Sequence, residues 1–293
     1  MASIVSVGFG SSDTVVLASG SNFPDALSAS ALAGAYGAPV VLTSPEALSS
    51  QARTTISSLG ASRVIVMGGE AAVSTSVETE FESRGISVER VAGQTRQETS
   101  LAALSKVGEN AGSIDIVIIA SGTGFADSLS ASPYSYAKKA PVVLAEGDGT
   151  LSAESVSAIA ASGAKRAVIV GGTAVVGEQA ASALASAGLS VERWSGADRY
   201  ATSAEIAGHE LAEGMSAATC AVATGRNFPD ALAGGALVGS KGGVLLLADD
   251  GHAETIDRVI APNRSAVRQC YMLGGTSAVP ASLAGSVRTA LGY

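Results

Sequence analysis

The chain has 293 residues, with 18 Lys and Arg against 26 Asp and Glu, a formal net charge of −8 and a pI near 4.8. Hydrophobic residues make up 47%, charged residues 15% and aromatics only 4%. That balance excludes a disordered chain. It also excludes a non-specific nucleic-acid binder, which needs a basic surface to displace counterions. The cores must be built from Val, Ile, Leu and Ala.

In chain order, Thr14–Ala18 is a short β-branched run closed by Ser-Gly, and Pro24–Tyr36 reads as an Ala-rich helix ended by Gly37. Pro39–Leu42 is a second strand, Pro45–Leu59 a helix, Arg63–Met67 a third strand stopped by Gly68-Gly69, and Val73–Arg84 a helix. Ile86–Glu89 is a short fourth strand, followed by a turn over Arg90–Arg96 and a helix over Thr99–Val107. The same order then returns. SGSNFPDAL at Ser19–Leu27 recurs as SGTGFADSL at Ser121–Leu129 and as TGRNFPDAL at Thr224–Leu232. The glycine pairs at 68, 171 and 274 keep one period, and RVAGQTRQETS from Arg90 returns as RWSGADRYATS from Arg193. Three elements holding one period define a tandem repeat.

Near-continuous apolar strands alternating with helices predict parallel sheets covered on both faces. The expected fold is α/β, with three tandem Rossmann-like or flavodoxin-like modules at 1–89, 90–192 and 193–293. The first lacks its leading Arg turn, and the third stops at Leu291-Gly292-Tyr293, where a fourth strand is due.

Ligands of open parallel sheets bind beyond the carboxyl ends of the strands. All four turns of a module are therefore expected on one edge. In the first turn Pro24 suits the first helical position, and Asp25 in the first turn complements the helix dipole. That is a complete structural reading of Asp25, Asp127 and Asp230. The functional alternative has them orient a partner, with Arg96 or Arg199 as a bidentate mate between modules or within a site. Asn22 and Asn227 accompany them, whereas the second copy has Gly124 and Ala126 in place of Asn and Pro. The Arg turn reads either as a helix start capped by its Thr-Ser with an exposed Arg, or as an inter-module clamp or anion contact. Arg90, Arg96, Arg193 and Arg199 are the candidates.

Catalytic signals are thin. The glycine pairs are not GxGxxG, and no P-loop Lys-Ser/Thr appears. His209 and His252 occur only in the third copy, and no nucleophile elbow, HExxH or zinc spacing is present. No enzyme, metal or cofactor is expected. Cys220 and Cys270 lie outside any CxxC spacing and read as buried thiols or strand neighbours. No apolar run reaches the ~18–20 residues of a membrane span. The opening MASIVSVGFG is not a signal peptide, so an exported protein is expected to have shed its leader, or Met1 to be an addition.

The set SGSNFPDALSASALAGAYGAPVVLTS, VIVMGGEAAVS and RWSGADRYATS resembles the cell wall binding repeat 2 family of Gram-positive bacteria, over the whole chain in three copies. The resemblance implies three Rossmann-like modules packed as an intramolecular pseudo-trimer. It also implies non-covalent anchoring of a surface or S-layer protein, extracellular at the wall, through an anionic secondary polymer such as a polysaccharide or teichoic-acid-like chain. The effector domain would lie outside this sequence. The family's Pro-Ile-Leu-Leu strand motif, linked to polymer binding, matches Pro39, Val40, Val41 and Leu42, and Pro141, Val142, Val143 and Leu144. In the third copy it falls on Gly243–Leu246, without the proline. By sequence alone those Val and Leu side chains are core. An enzyme on the same layers, acting on carbohydrate or nucleotide, and a purely structural spacer are the competing readings.

Overall fold

The structure is a computed structural model that describes residue 5 and residues 7–293. Met1 lies outside the described residues, as does most of the segment before Val7. Three parallel sheets follow one another along the chain. The first contains β1 (Thr14–Ser19), β2 (Val40–Thr43), β3 (Arg63–Met67) and β4 (Ser87–Val91) in the order β2-β1-β3-β4. The second repeats it with β5 (Ile116–Ala120), β6 (Val142–Leu144), β7 (Arg166–Val170) and β8 (Ser190–Trp194), as β6-β5-β7-β8. The third has three strands, β9 (Thr219–Thr224), β10 (Val244–Ala248) and β11 (Gln269–Leu273), in the order β10-β9-β11. Val15 through Ala18, Val117 through Ala120 and Cys220 through Ala223 are fully buried, as central parallel strands covered on both faces must be. By sheet membership the copies divide after Val91 and Trp194.

The helices, in chain order, are α1 (Pro24–Leu27), α2 (Ala29–Tyr36), α3 (Ser50–Leu59), α4 (Thr75–Glu82), α5 (Arg96–Ala111), α6 (Ala126–Ser130), α7 (Ser132–Lys138), α8 (Ala153–Ala161), α9 (Glu178–Ser186), α10 (Arg199–Ala212), α11 (Pro229–Ser240), α12 (Glu254–Val259) and α13 (Ala281–Leu291). The helix expected over Pro24–Tyr36 is broken at Ser28, whose Oγ donates to Val142 O of the second copy at 3.2 Å. Pro45–Ser49 is not helical. α3 starts after Ser49, whose Oγ accepts from Ala52 N at 3.2 Å.

The third-copy strand motif is shifted by one residue from Gly243–Leu246. Ala18 pairs with Leu42, Ala120 with Leu144 and Ala223 with Leu247, so the equivalent stretch is Val244–Leu247. Val244 takes the proline's place. Gly243 precedes the strand where its Cβ would stand 2.8 Å from Thr219 Cβ, so the backbones approach too closely there for a side chain.

One apolar core runs through all three copies, from Val16 to Ala290, and a second, smaller one lies under the outer face of the first copy, around Leu17, Ile56 and Phe81. The shared core is possible because α2, α7 and α11 meet with small residues between them. A Cβ on Gly34 would overlap the Tyr136 carbonyl, and one on Gly239 would stand 2.6 Å from Tyr136 Cβ. Above them Phe23, Phe125 and Phe228, one per copy, close a triangle with ring centroids 5.6, 5.8 and 5.8 Å apart and rings tilted by 57–65°. Tilted aromatic pairs at this distance are favourable beyond their buried area. Together they make the three copies an intramolecular pseudo-trimer.

Gly34→Ala is expected to destabilise the protein by ~3 kcal/mol or more, because backbone cannot yield to the new methyl. Gly208→Ala, on the open face of α10 with nothing within 4 Å, is expected to stabilise it by ~0.5–1 kcal/mol. Urea midpoints of the two variants check both signs.

Candidate functional site

The functional edge is built where one copy hands over to the next. After β4 the chain turns through Gly93, and Thr95 caps α5 by accepting from Glu98 N at 3.2 Å. Asp198 does the same for α10, accepting from Tyr200 N and Ala201 N, both at 2.8 Å. The Thr-Ser pairs expected to cap these helices lie inside them instead. Thr99 and Thr202 accept from Gly93 N and Gly196 N at 3.1 and 3.0 Å, fixing the turn. Ser100 and Ser203 accept from Leu144 N and Leu247 N at 3.1 and 2.9 Å. Each helix thus satisfies an amide of the outer strand of the sheet that follows it.

Arg96 and Arg199 open these helices and reach across the junction. Arg96 Nη1 donates to Gly122 O at 2.5 Å, and Arg199 Nη1 to Gly225 O at 2.6 Å. Arg199 also lies over the Phe125 ring, 5.7 Å from its centroid. Arg96 is half-buried and Arg199 exposed. Among the described residues no ion pair joins either arginine to Asp25 or Asp127, so the bidentate pair considered from sequence is not formed; the guanidinium–carbonyl bond replaces it. The charges still sense one another. Burial raises the Asp25 carboxyl above the usual range, opposed by a Thr99 hydrogen bond and by Arg96. Burial raises Asp127 to about 6, opposed by Arg199 alone.

The three aspartates share one location. Asp25 and Asp127 lie directly over Gly68 and Gly171, and Asp230 Oδ2 would stand 3.0 Å from a Cβ on Gly274. These glycines have φ of 94°, 101° and 130°, and a side chain there would also occupy the carboxylate's place. Asn22 and Asn227 are exposed and accept from the next amide, Phe23 N and Phe228 N, at 3.1 and 2.9 Å.

Arg90 and Arg193 serve their own copy. Arg90 donates to Gly68 O at 2.6 Å and Val73 O at 2.8 Å and pairs with Glu78 at 2.8 Å. Arg193 donates to Gly171 O at 3.0 Å and Val176 O at 2.9 Å and pairs with Glu178 at 3.2 Å. Both lie inside or at the end of a strand, and neither reaches a junction. Pro39, Val40, Val41 and Leu42 are buried in or beside β2, and Pro141, Val142, Val143 and Leu144 in or beside β6. Cys220 and Cys270 are register partners in β9 and β11; both are free thiols, and burial pushes them up to about 12 and about 11.

A polar cluster in the third copy was not anticipated. Asp249, at the end of β10, accepts from Tyr200 Oη, from Arg226 Nε at 3.0 Å and from Gly251 N at 2.9 Å, and contacts His252 Nδ1 at 3.0 Å. Partial burial acts to raise its carboxyl, but these donors together hold it well below the usual range. His252 stacks on Tyr200, with centroids 4.2 Å apart. Arg226 stands where the first copies have Ser21 and Thr123, and that difference in SGS, SGT and TGR was its only signal. Among the described residues no group of three or more His, Cys, Asp or Glu is placed to hold a metal ion. No described helix is long and apolar enough to cross a membrane.

Residues 2–78, 90–181 and 193–284 match the family described as Cell wall binding domain 2 (CWB2). The chain is 29% identical over 280 residues to N-acetylmuramoyl-L-alanine amidase LytC of Bacillus subtilis (strain 168), covering 96% of this chain and 54% of that protein. It is 31% identical over 134 residues to the Amidase enhancer of the same organism, covering 46% of this chain and 18% of the other. The chain therefore spans about half or less of the curated relatives it matches. Two solved structures share the fold. Cwp8 from Clostridium difficile matches with a TM-score of 0.85 at 21% identity, over 99% of this chain and 49% of that one. Cwp6 from the same organism matches with a TM-score of 0.84 at 23% identity, over 98% and 46%.

The Asp127 shift has a definite sign. Its folded value is raised from 3.8 to about 6. Its contribution to stability is therefore fully present below 3.8 and is lost as pH rises through about 6, a change on the order of 3 kcal/mol. Asp127→Asn removes the titration, so its stability relative to the parent is expected to improve by up to that amount between pH 3.5 and 7.5. Denaturant melts at the two pH values read the difference, and parallel profiles would contradict the assignment.

Proposed function

This chain belongs to the Cell wall binding domain 2 family, and from that membership we propose that it anchors a surface protein through an anionic secondary wall polymer laid along the shared edge of its three copies. Binding to the cell wall through a wall polymer is the property of the family, whose modules are binding domains rather than catalytic ones. The polymer's negative charge, the extracellular setting and the attached effector are the finer parts of this reading. The observation that carries it is the threefold repetition of one edge on one rigid pseudo-trimer. A repeating ligand that touches equivalent edges gains affinity by linkage without further chemistry.

Charge sets the terms. At −8 the chain as a whole repels a polyanion, so contact depends on cations gathered locally. Arg90 and Arg193 are engaged with backbone carbonyls and glutamates, and Arg96 is half-buried at its junction. Arg199 keeps an exposed guanidinium beside the N-terminus of a 14-residue helix, where anions are favoured. Arg226 adds a second, with its side chain 71% exposed. Asp25, Asp127, Asp230, Asn22 and Asn227 supply hydrogen-bonding groups between them. The buried Pro-Val-Val-Leu strands act by fixing the ends from which these turns depart.

Co-sedimentation with purified Gram-positive walls tests this reading, before and after mild acid removes the anionic secondary polymer. Binding is expected to vanish on stripping and to weaken steadily as salt is raised from 0.05 to 0.5 M, since exposed charge contacts are screened. Arg226→Gln is expected to weaken binding several-fold with little change in melting temperature. Undiminished binding to stripped walls would overturn the anionic-polymer reading.

A further inference from the structure

The two junctions are not equivalent, and the difference leaves an open groove. Between the second and third copies a cavity of about 430 Å³ is lined by the first turn of the second copy, its glycine-pair turn and the start of α10. Gly124 and Ala126 stand in its wall where the other copies carry Asn and Pro. Its lining combines apolar Phe125, Ala174 and Val175 with polar Thr123, Asp127 and Arg199.

Asp127 is the informative group. At the first junction burial raises the equivalent carboxyl, Asp25, and Thr99 and Arg96 both oppose it, whereas Asp127 has Arg199 alone to oppose its burial. At the second, Thr202 lines the same groove, yet the Asp127 carboxylate accepts no hydrogen bond from any described residue. A half-buried carboxylate left without a donor is costly unless a donor arrives from outside. Arg199 spends one nitrogen on Gly225 O, has its Cζ 5.7 Å from the Phe125 ring centroid and lines the groove. An apolar wall facing a few convergent polar groups is the usual build of a small-ligand site.

We propose that this groove seats one pyranose unit of a wall glycan, with its C–H face on Phe125 and Val175, its hydroxyls donating to Asp127 and its ring or substituent oxygens accepting from Arg199. The volume suits one or two sugar rings. The proposal rests on the wall-binding reading and deepens it, because the second junction alone would then recognise an individual sugar while the repeated edge supplies avidity.

Saccharides released from purified walls by mild acid are the probe, read by saturation-transfer NMR and by competition in wall co-sedimentation. The parent protein is expected to show saturable contact to ring protons. Gly172→Leu fills the groove at a position with nothing within 4 Å of a new Cβ, and is expected to lose at least tenfold in saccharide affinity with an unchanged melting temperature. Asp127→Asn is expected to lose a similar factor while remaining folded. Saccharide binding that survives in Gly172→Leu would overturn the groove assignment, as would absence of any saccharide contact in a parent protein that still sediments with walls. A parent protein that does not sediment with walls at all would overturn the wall-binding reading itself, and the proposal with it.

Discussion

The helices that begin at Arg96 and Arg199 follow the fourth strand of one sheet and pack on the outer strand of the next, and the architecture depends on that link. Each is entered from the fourth strand of the preceding sheet and lies against the outer strand of the following one. Its first residue donates to the carbonyl of the first turn of the sheet that follows. Its second reaches the end of the next outer strand, Gln97 to Ala145 O at 3.1 Å and Tyr200 to Asp249. Its serine accepts an amide from that strand. An outer strand of a parallel sheet otherwise presents unpaired backbone groups, and here the helix that links it to the preceding sheet satisfies part of them. A repeat with small side chains and a limited core of its own is completed by its neighbour.

The second junction is tied from below as well. Glu213, just past α10, accepts from Tyr134 Oη and pairs with Arg166, both in the second copy. Trp194 is buried, stacked on His209 with centroids 4.9 Å apart and edge-on to Tyr134. Glu210 lies in the same interface without exposure, and neither carboxyl oxygen has a hydrogen-bond partner; burial drives its carboxyl well above the usual range. The C-terminal end of α10 is therefore tied to the second copy by the paired Glu213, beside the unpartnered Glu210. The groove at Asp127 opens at the start of this same helix, opposite the end tied by Glu213.

Much of this is written in the chain. The parallel sheets follow from β-branched runs such as Val15–Leu17 and Ile116–Ile119, and the three copies follow from the recurrence of the Asp and of the glycine pairs. Arg63–Met67 reads as a strand with the bounds it has. What local pattern does not show is interaction across copies. The break at Ser28 is set by a carbonyl 114 residues away, and the capping role read into Thr99-Ser100 was wrong because both hydroxyls bond groups beyond their own helix start. The one-residue offset of the third strand motif comes from Gly242-Gly243, which can be aligned two ways on paper but pair one way in the sheet. At the site, sequence brought Asp and Arg together as a pair, since opposite charges at a repeated spacing invite it. The guanidinium instead took a carbonyl, an acceptor that no side-chain pattern reveals. The Phe triangle was visible as a repeated NF or GF, yet only packing makes three rings meet.

If the linking helices make one body of three copies, the chain unfolds as one. Differential scanning calorimetry of the intact protein at neutral pH measures this most directly, through the ratio of van't Hoff to calorimetric enthalpy. A single transition with a ratio of ~1 is expected. Two or three resolved transitions, with a van't Hoff enthalpy well below the calorimetric value, would mean that the copies fold independently and that the junctions do not hold the edge in register.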